Sequence, residues 1–551
     1  MDVVLVGLPG SGKSAVGRRL AHRHGAQFVD LDDTIEKTAG KAIAEIFATD
    51  GEAAFRDLER EAVAGLGPAD PGPNIRTVVA TGGGAVVDPR NRWALYRGRV
   101  AAWLDVRPEV LAQRLRRSPN VRPLIAGRDP MGAIRDLARD RERFYSAAHR
   151  QNGVAELATI VERIDELVGR LARQPEPAVL LRGHSLGGDV VIGEGIAATA
   201  IADALRGLRA RRAILVSEPG SWAATGEAIA AALADDGWPV ERILLPQGES
   251  AKRLAVIEDA AGQLARLRTE RGEPLIAIGG GALGDAAGFL AASWLRGVPF
   301  IQVPTTLVAQ IDSSIGGKTG VDLAEGKNLV GAFHPPAAVV IDVALLGSLP
   351  ERQRRAALGE AVKMAALGDD ALFALLEAEG EAIVRGDATA FESGAVAELV
   401  ERAAWAKVVV VDGDEKEQGL ADGRIALNLG HSLGHAVEAA GGFGDLLHGE
   451  AVAHGLRAAV RIGRELGVTP DDRAARIERL LTELGLATER LPYPLETVLG
   501  ALAADKKHAD GVLRWVLPTA HGSVIRSDVP VDVVERAAAS LLVAPGSAVT
   551  P

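Results

Sequence analysis

From Met1 to about Arg173, short apolar runs alternate with longer segments whose apolar positions recur at helical spacing. This alternation predicts strands of a parallel sheet separated by amphipathic helices. A polar break, PADPGPN at Pro68–Asn74, reads as a surface loop within that series. The last helix of the series, VERIDELVGRLAR, runs into QPEPA (Gln174–Ala178), a proline-bearing segment that marks a domain boundary. Beyond it the β-rich runs RAILVSE, PLIAIGGG and FIQVPTT again alternate with helical stretches, and after Pro350 the pattern changes to long alanine- and leucine-rich helices. The pattern therefore predicts an α/β unit over 1–173, a linker at 174–178, an α/β lobe over 179–345, a helical lobe over 346–543 and a disordered tail, APGSAVTP, over 544–551. A ligand site is expected in the cleft between the two later lobes.

A length of 551 residues calls for more than one core, and 47% hydrophobic with 25% charged residues suits globular domains. The net charge of -11 argues against a nucleic-acid surface, so anionic substrates must be met by local arginines and lysines. With no cysteine, disulfides and thiolate zinc sites are excluded, which leaves His, Asp and Glu as metal ligands. The start MDVVLVGLPG lacks the basic and long apolar regions of a signal peptide, and no run reaches membrane-spanning length. A cytoplasmic protein with small-molecule substrates, and neither nucleic-acid nor membrane partners, is the expectation.

Gly7–Ser14, GLPGSGKS, fits the phosphate-binding loop pattern and stands between the strand VVLV and the helix SAVGRRLAHRHG, the context that pattern needs. Backbone N–H groups of Gly10, Ser11, Gly12 and Ala15 can wrap the phosphates of ATP, Lys13 can neutralise the outer ones, and the Ser14 hydroxyl can ligate Mg²⁺. The acidic run FVDLDDTIE ends a second strand and could organise Mg²⁺ and take a hydroxyl proton, although such a run is equally an ordinary helix N-terminus.

Together with IAEIFATDGEAAFRDLE, TGGGAV and VRPLIAG, these motifs resemble shikimate kinase over essentially all of residues 1–173. The resemblance implies a P-loop kinase fold with a parallel sheet. It places Asp30 on Mg²⁺ and Asp32 on the shikimate hydroxyls. It puts Arg56 and Arg141 on the substrate carboxylate, which a planar guanidinium suits. Gly82 and Gly83 would approach the substrate through backbone atoms, and Arg122 would be the lid arginine over the transferring phosphate.

In the second unit GGGALGD follows a strand, a weak glycine-turn signal without the expected acidic residue about twenty positions on. PQGESAKRL places Glu249 and Lys252 one helical turn apart, suited to ribose hydroxyls and a phosphate but also to a surface ion pair. In NLGHSLGHAVE, His431 and His435 stand four apart on a predicted helix; Ser432 occupies the place where an H-E-x-x-H protein has its general base.

With VPTTLVAQIDSSIGGKTGVD, EGKNLVGAFHPP, GEAVK, LLHGEAV and ADKKHADGVLRWVLP, these stretches resemble 3-dehydroquinate synthase over roughly Ala178–Leu542. The likeness implies a Rossmann-like NAD-binding lobe followed by an α-helical metal-binding lobe, and a homodimer through this unit. It implies NAD⁺ bound by Gly248, Glu249, Lys252, Gly280, Gly281, Asp285, Thr305, Thr306, Lys318 and Lys327. Zn²⁺ or Co²⁺ would be held by Glu360, His431 and His448, with His435 left for proton transfer or phosphate binding. Arg296, Asp312, Lys318, Asn328, Lys363, Lys407, Arg424, Asn428 and Lys506 or Lys507 would meet the substrate, and Glu417 would belong to the same network. One departure is GLADGR: the family pattern has Gly-Leu-Arg there, and Arg424 arrives three residues late. Gly and Asp suit a tight turn, so the insertion is expected to loop out and leave Arg424 at the site.

The implied activity is a fused pair of enzymes of chorismate biosynthesis. One would phosphorylate shikimate with ATP, and the other would convert 3-deoxy-D-arabino-heptulosonate 7-phosphate to 3-dehydroquinate. The rival enzymatic reading is another small-molecule P-loop kinase joined to a glycerol-type dehydrogenase. A third reading is an inactive binding module, against which the intact Lys13, Asp32, Glu360, His431 and His448 speak.

Overall fold

A computed structural model describes residues 1–117, 129–415, 423–508 and 513–543, the side chains of 505–508 excepted. The chain forms two compact units, Met1–Gly183 with Val190–Ile196, and His184–Asp189 with the residues from Ala197 onward. The first unit thus runs past QPEPA into the strand Ala178–Ser185. The tail 544–551, expected to be disordered, lies outside the described residues.

The first unit is built on β1 (Asp2–Val6), β2 (Gln27–Asp30), β3 (Thr77–Ala80), β4 (Val100–Asp105) and β5 (His149–Asn152), hydrogen-bonded in the order β2-β3-β1-β4-β5. All pairs are parallel, with Leu5 opposite Ala80 and Asp30 opposite the same Ala80. Every residue of β1 is buried, as expected for a strand covered on both faces, and Val3 and Leu5 pack with Leu20, Val78, Leu104, Ile164 and Val168. The parallel register has a consequence for function. The segments leaving β1, β2 and β3 all emerge at one sheet edge, and they carry Gly7–Ser14, Asp30–Asp32 and Gly82–Gly84.

In the second unit, β6 (Ala213–Ser217), β7 (Val240–Leu244), β8 (Leu275–Gly279), β9 (Phe300–Pro304) and β10 (Ala338–Asp342) pair in parallel in the order β10-β9-β8-β6-β7. An antiparallel hairpin, Lys318–Leu323 with Gly326–Phe333, rises between β9 and β10. From Glu351 the chain is mainly helical. A second hairpin, Trp515–Thr519 with Gly522–Arg526, breaks the all-helical expectation for this part, because RWVLPT and SVIR are β-forming runs across a short turn. Among the described residues no helix is long and apolar enough to cross a membrane.

Candidate active sites

The phosphate loop owes its shape to Gly7, Gly10 and Gly12, whose φ angles of 144°, 84° and 99° an L-side chain rarely adopts. The loop delivers Lys13 to the start of α1 (Lys13–His24), buried, with its ammonium donating to the carbonyls of Gly7 at 2.8 Å and Leu8 at 3.2 Å. Ser14 follows in the first turn. Asp30 caps the next helix by accepting from the Asp32 N–H at 3.2 Å, so one of its oxygens has a structural bond before any cation is considered.

Asp32, Arg56, Gly82, Gly83 and Arg141 come together. A side chain on Gly82 would displace the Asp32 carboxylate, and one on Gly84 the Arg56 guanidinium, so the bare backbone of the TGGGA turn leaves both groups where they stand. Arg141 donates to the Gly83 carbonyl at 2.7 Å, and the Tyr145 hydroxyl donates to the same oxygen. Sequence reading missed Glu59, which is 1% exposed and accepts from Arg56 at 2.8 Å. Burial pushes its carboxyl above the usual range, against the pull of Arg56. The available signal was the three-residue spacing of Arg56 and Glu59 on one helix. Arg122, expected as the lid arginine, lies outside the described residues.

In the second unit the residues expected to hold NAD⁺ are assembled at the sheet's edge. Gly280 caps α2 (Gly281–Ser293) directly after β8, and the Thr305 N–H donates to the Gly279 carbonyl at 3.0 Å, which lays Thr305 and Thr306 beside this helix N-terminus. A side chain on Gly281 would meet the Ser313 hydroxyl. Lys252, 3% exposed, bonds Asp285 at 2.8 Å and Asn328, with Asp322 at 3.9 Å. Burial pushes Asp285 up, against the pull of Lys252. A second missed residue is Glu218, whose carboxylate accepts from the Gly248 N–H at 2.6 Å and the Ser221 hydroxyl at 3.1 Å, holding the turn that carries Glu249 and Lys252.

The metal candidates converge from three helices, α3 (Glu351–Ala366), α5 (His431–Ala440) and α6 (His448–Glu465). Glycine makes the approach possible, since each candidate ligand has one as chain neighbour. A side chain on Gly449 would strike the Ala356 carbonyl, one on Gly359 the Gly449 carbonyl, and one on Gly455 the Gly430 carbonyl. The helix backbones therefore touch, and Glu360 Oε1 lies 3.1 Å from His448 Nε2 and 3.6 Å from His431 Nε2.

Ligand atoms of His431, His435 and His448 lie within 4.8 Å of one another, so His435 joins the cluster as a fourth candidate. Glu360 is 1% exposed, and neither of its oxygens makes a hydrogen bond of acceptable geometry among the described residues. A buried carboxylate in that condition, facing imidazole nitrogens, fits a divalent cation held by N and O ligands. His431 Nδ1 donates to the Leu429 carbonyl at 3.2 Å and His448 Nδ1 to Glu438 at 3.3 Å, which leaves both Nε2 atoms to face Glu360. Burial pushes His431 down to about 3. His448 is desolvated as well, but the Glu360 and Glu438 carboxylates beside it hold it up at about 10.

A chain of charges leads away from Glu360. Lys363 lies 2.5 Å from it and 3.8 Å from Asp312, and Lys407 on α4 (Ala395–Gly413) donates to the Asp312 carboxylate and carbonyl, each at 2.7 Å. Burial raises the Asp312 carboxyl, yet Lys407 and Lys363 beside it hold it below the usual range. Arg424 is buried; its guanidinium donates to the Gly316 carbonyl at 3.0 Å and the Glu415 carbonyl at 2.9 Å, and its positive charge is felt by Lys407. Asn428 closes the short helix that Arg424 opens. Lys318 starts its hairpin strand and is exposed, as is Arg296, whose φ of 66° ends the α2 segment. Glu417, residues 419–422 of GLADGR, and the side chains of Lys506 and Lys507 lie outside the described residues.

Family models of the 3-dehydroquinate synthase N-terminal and C-terminal domains match residues 242–356 and 357–508, and the shikimate kinase model matches residues 9–171. The 3-dehydroquinate synthase of a Synechocystis strain is 43% identical over 340 residues, 61% of this chain and 92% of that protein. The chain belongs to the 3-dehydroquinate synthase family, with a shikimate kinase domain ahead of it. Both domains are enzymes. The 2-epi-5-epi-valiolone synthase of Streptomyces hygroscopicus, solved with NAD⁺ and Zn²⁺ bound, is 30% identical and covers 65% of this chain and 98% of its own, with a TM-score of 0.58. Shikimate kinase from Acinetobacter baumannii, solved with shikimate, is 32% identical over 32% of this chain and 95% of its own, with a TM-score of 0.29.

Proposed function

We propose that the kinase domain transfers the γ-phosphoryl group of Mg²⁺-ATP to shikimate, and that the synthase domain converts 3-deoxy-D-arabino-heptulosonate 7-phosphate to 3-dehydroquinate and phosphate with NAD⁺ and Zn²⁺ or Co²⁺. The observation that carries the second assignment is the convergence of Glu360, His431 and His448 beside the Lys363–Asp312–Lys407 chain. The NAD⁺ and Zn²⁺ of the valiolone synthase support the cofactor assignment.

In the kinase domain Lys13 neutralises the transferring phosphate, Arg56 and Arg141 hold the shikimate carboxylate, and Asp32 takes the hydroxyl proton. Glu59 holds Arg56 in place and keeps two cations from sharing one pocket uncompensated. In the synthase domain Lys252 and Glu249 hold the cofactor, while Lys363, Lys407, Arg424 and Asn328 meet the anionic groups of the sugar acid. Asp312 fixes the two lysines, and His435 is placed to move a proton. A bound divalent cation would acidify the substrate hydroxyl at Glu360, His431 and His448, and NAD⁺ would accept a hydride and return it, so the reaction is redox-neutral overall.

ATP and NAD⁺ as substrates and cofactors support a cytoplasmic location. Leu329 and Phe333, exposed on one face of their strand, support a homodimer through the synthase domain, which mass measurement in solution tests. The functional reading is tested by assaying the purified chain for shikimate-dependent ADP formation and for phosphate release from the sugar acid phosphate with catalytic NAD⁺. Lasting accumulation of NADH would instead identify a net dehydrogenase.

A further inference from the structure

His431, His435 and Glu438 stand four and three residues apart on α5, so they form one stripe facing the metal cluster. Glu438 is not among the candidate ligands, yet it is nearly buried, with 7% of its side chain exposed. Its two oxygens are divided between two systems. Oε2 accepts from Nδ1 of His448, whose other nitrogen faces Glu360. Oε1 accepts from the Lys327 ammonium at 2.8 Å. Lys327 comes from the Gly326–Phe333 strand of the α/β lobe, lies 3.9 Å from Glu249 of the cofactor segment, and is seated over the Phe443 ring at 4.7 Å. One carboxylate thus joins a cofactor-side cation to a metal-side imidazole.

We propose that Glu438 is a positioning residue that ties Lys327 to His448, so that metal and NAD⁺ bind the synthase domain cooperatively. The physical reason is geometric. Each oxygen of this buried carboxylate is committed to one partner, so a Lys327 fixed against the cofactor fixes the carboxylate and with it the Glu438–His448 bond, and a metal on His448 orders Lys327 in return. Linkage makes the effect reciprocal. The proposal rests on the metal and NAD⁺ reading above.

The test uses the intact chain freed of metal, with Zn²⁺ affinity measured by competition against a chromophoric chelator, with and without saturating NAD⁺. In the wild type NAD⁺ should tighten Zn²⁺ binding by about 5-fold or more. Glu438→Gln, which keeps the shape and removes the charge, should weaken Zn²⁺ by about 10- to 100-fold and abolish the NAD⁺ effect. Lys327→Met, measured at NAD⁺ concentrations that saturate the variant in its own NAD⁺ titration, should lose the NAD⁺ effect on Zn²⁺ affinity, and it serves as the second variant should Glu438→Gln fold poorly. The synthase domain is a compact unit separate from the kinase, so its own denaturant-unfolding transition, compared with the wild type, reports whether each variant is folded. A wild type whose Zn²⁺ affinity ignores NAD⁺, or a Glu438→Gln or Lys327→Met chain that keeps the full NAD⁺ effect, overturns the proposal while leaving the functional reading intact. A wild type that binds no Zn²⁺, or whose affinity survives His431→Ala, overturns the functional reading and this proposal with it.

Discussion

The two active sites are built on different principles. In the kinase domain, loops leaving three neighbouring parallel strands emerge at one sheet edge, so the register of β1, β2 and β3 alone brings the phosphate loop, the Asp30–Asp32 segment and the TGGGA turn together. In the synthase domain the metal candidates come from three helices, whose meeting depends on glycines that let backbones touch. The first arrangement is set by strand pairing, and its glycines shape the loops themselves, at Gly7, Gly10 and Gly12 and in the TGGGA turn. The second transmits any change in helix spacing to the ligand atoms, because packed interiors have no room to absorb a methyl group.

The contrast can be broken most completely at the metal cluster. His431→Ala removes one of few ligands, so both Zn²⁺ and synthase turnover should be lost while shikimate phosphorylation persists; metal analysis and the two assays check this. Lys13→Ala is the mirror experiment, expected to lower kinase turnover by about 10²- to 10³-fold or more and to leave synthase turnover unchanged. Gly449→Ala tests the packing argument. It adds only a methyl group, but against a backbone carbonyl, and should cost about 1–3 kcal/mol of synthase-domain stability and weaken Zn²⁺, read by denaturant unfolding and chelator competition. An alanine accommodated there at full stability would show that the helices are not held by backbone contact.

Arg424→Ala removes charge-assisted bonds to the buried Gly316 carbonyl and the part-buried Glu415 carbonyl, each bond worth about 1.5–3 kcal/mol, so synthase stability and substrate use should both fall. A variant with unchanged steady-state kinetics would place this arginine outside the site.

The smallest effect concerns Glu59. Its carboxyl is raised by burial, so the folded kinase domain favours the protonated form, and the stability this group contributes is present below the usual glutamate pKa and lost as pH rises through the raised value. Glu59→Gln should therefore compare more favourably with the wild type at pH 8 than at pH 4.5, as followed by thermal unfolding; the opposite trend would mean that Arg56 outweighs desolvation.

Much of this was legible in the sequence because the phosphate loop, the TGGGA turn and the LNLGHSLGHAVE helix are contiguous, and short-range steric rules shape contiguous residues whatever surrounds them. Glu59, Glu218 and Glu438 were not read. Each looks like an ordinary acidic residue, and its importance arises from a partner reached through the fold: Arg56 beside Asp32, the Gly248 turn, and the Lys327–His448 pair.

The second hairpin was missed for a related reason, since Trp515–Arg526 is a short β run beside a long helical series. Local pattern, then, specified the two α/β units, the phosphate loop, and the histidine pair with its helical spacing. Long-range packing specified which carboxylates are buried, which nitrogen of each histidine faces Glu360, and how closely Gly359, Gly430, Gly449 and Gly455 let their helices approach. The division follows from the range of the forces. Backbone sterics and helical periodicity act within a few residues, whereas desolvation and charge pairing depend on which distant groups a compact fold brings within a few ångströms.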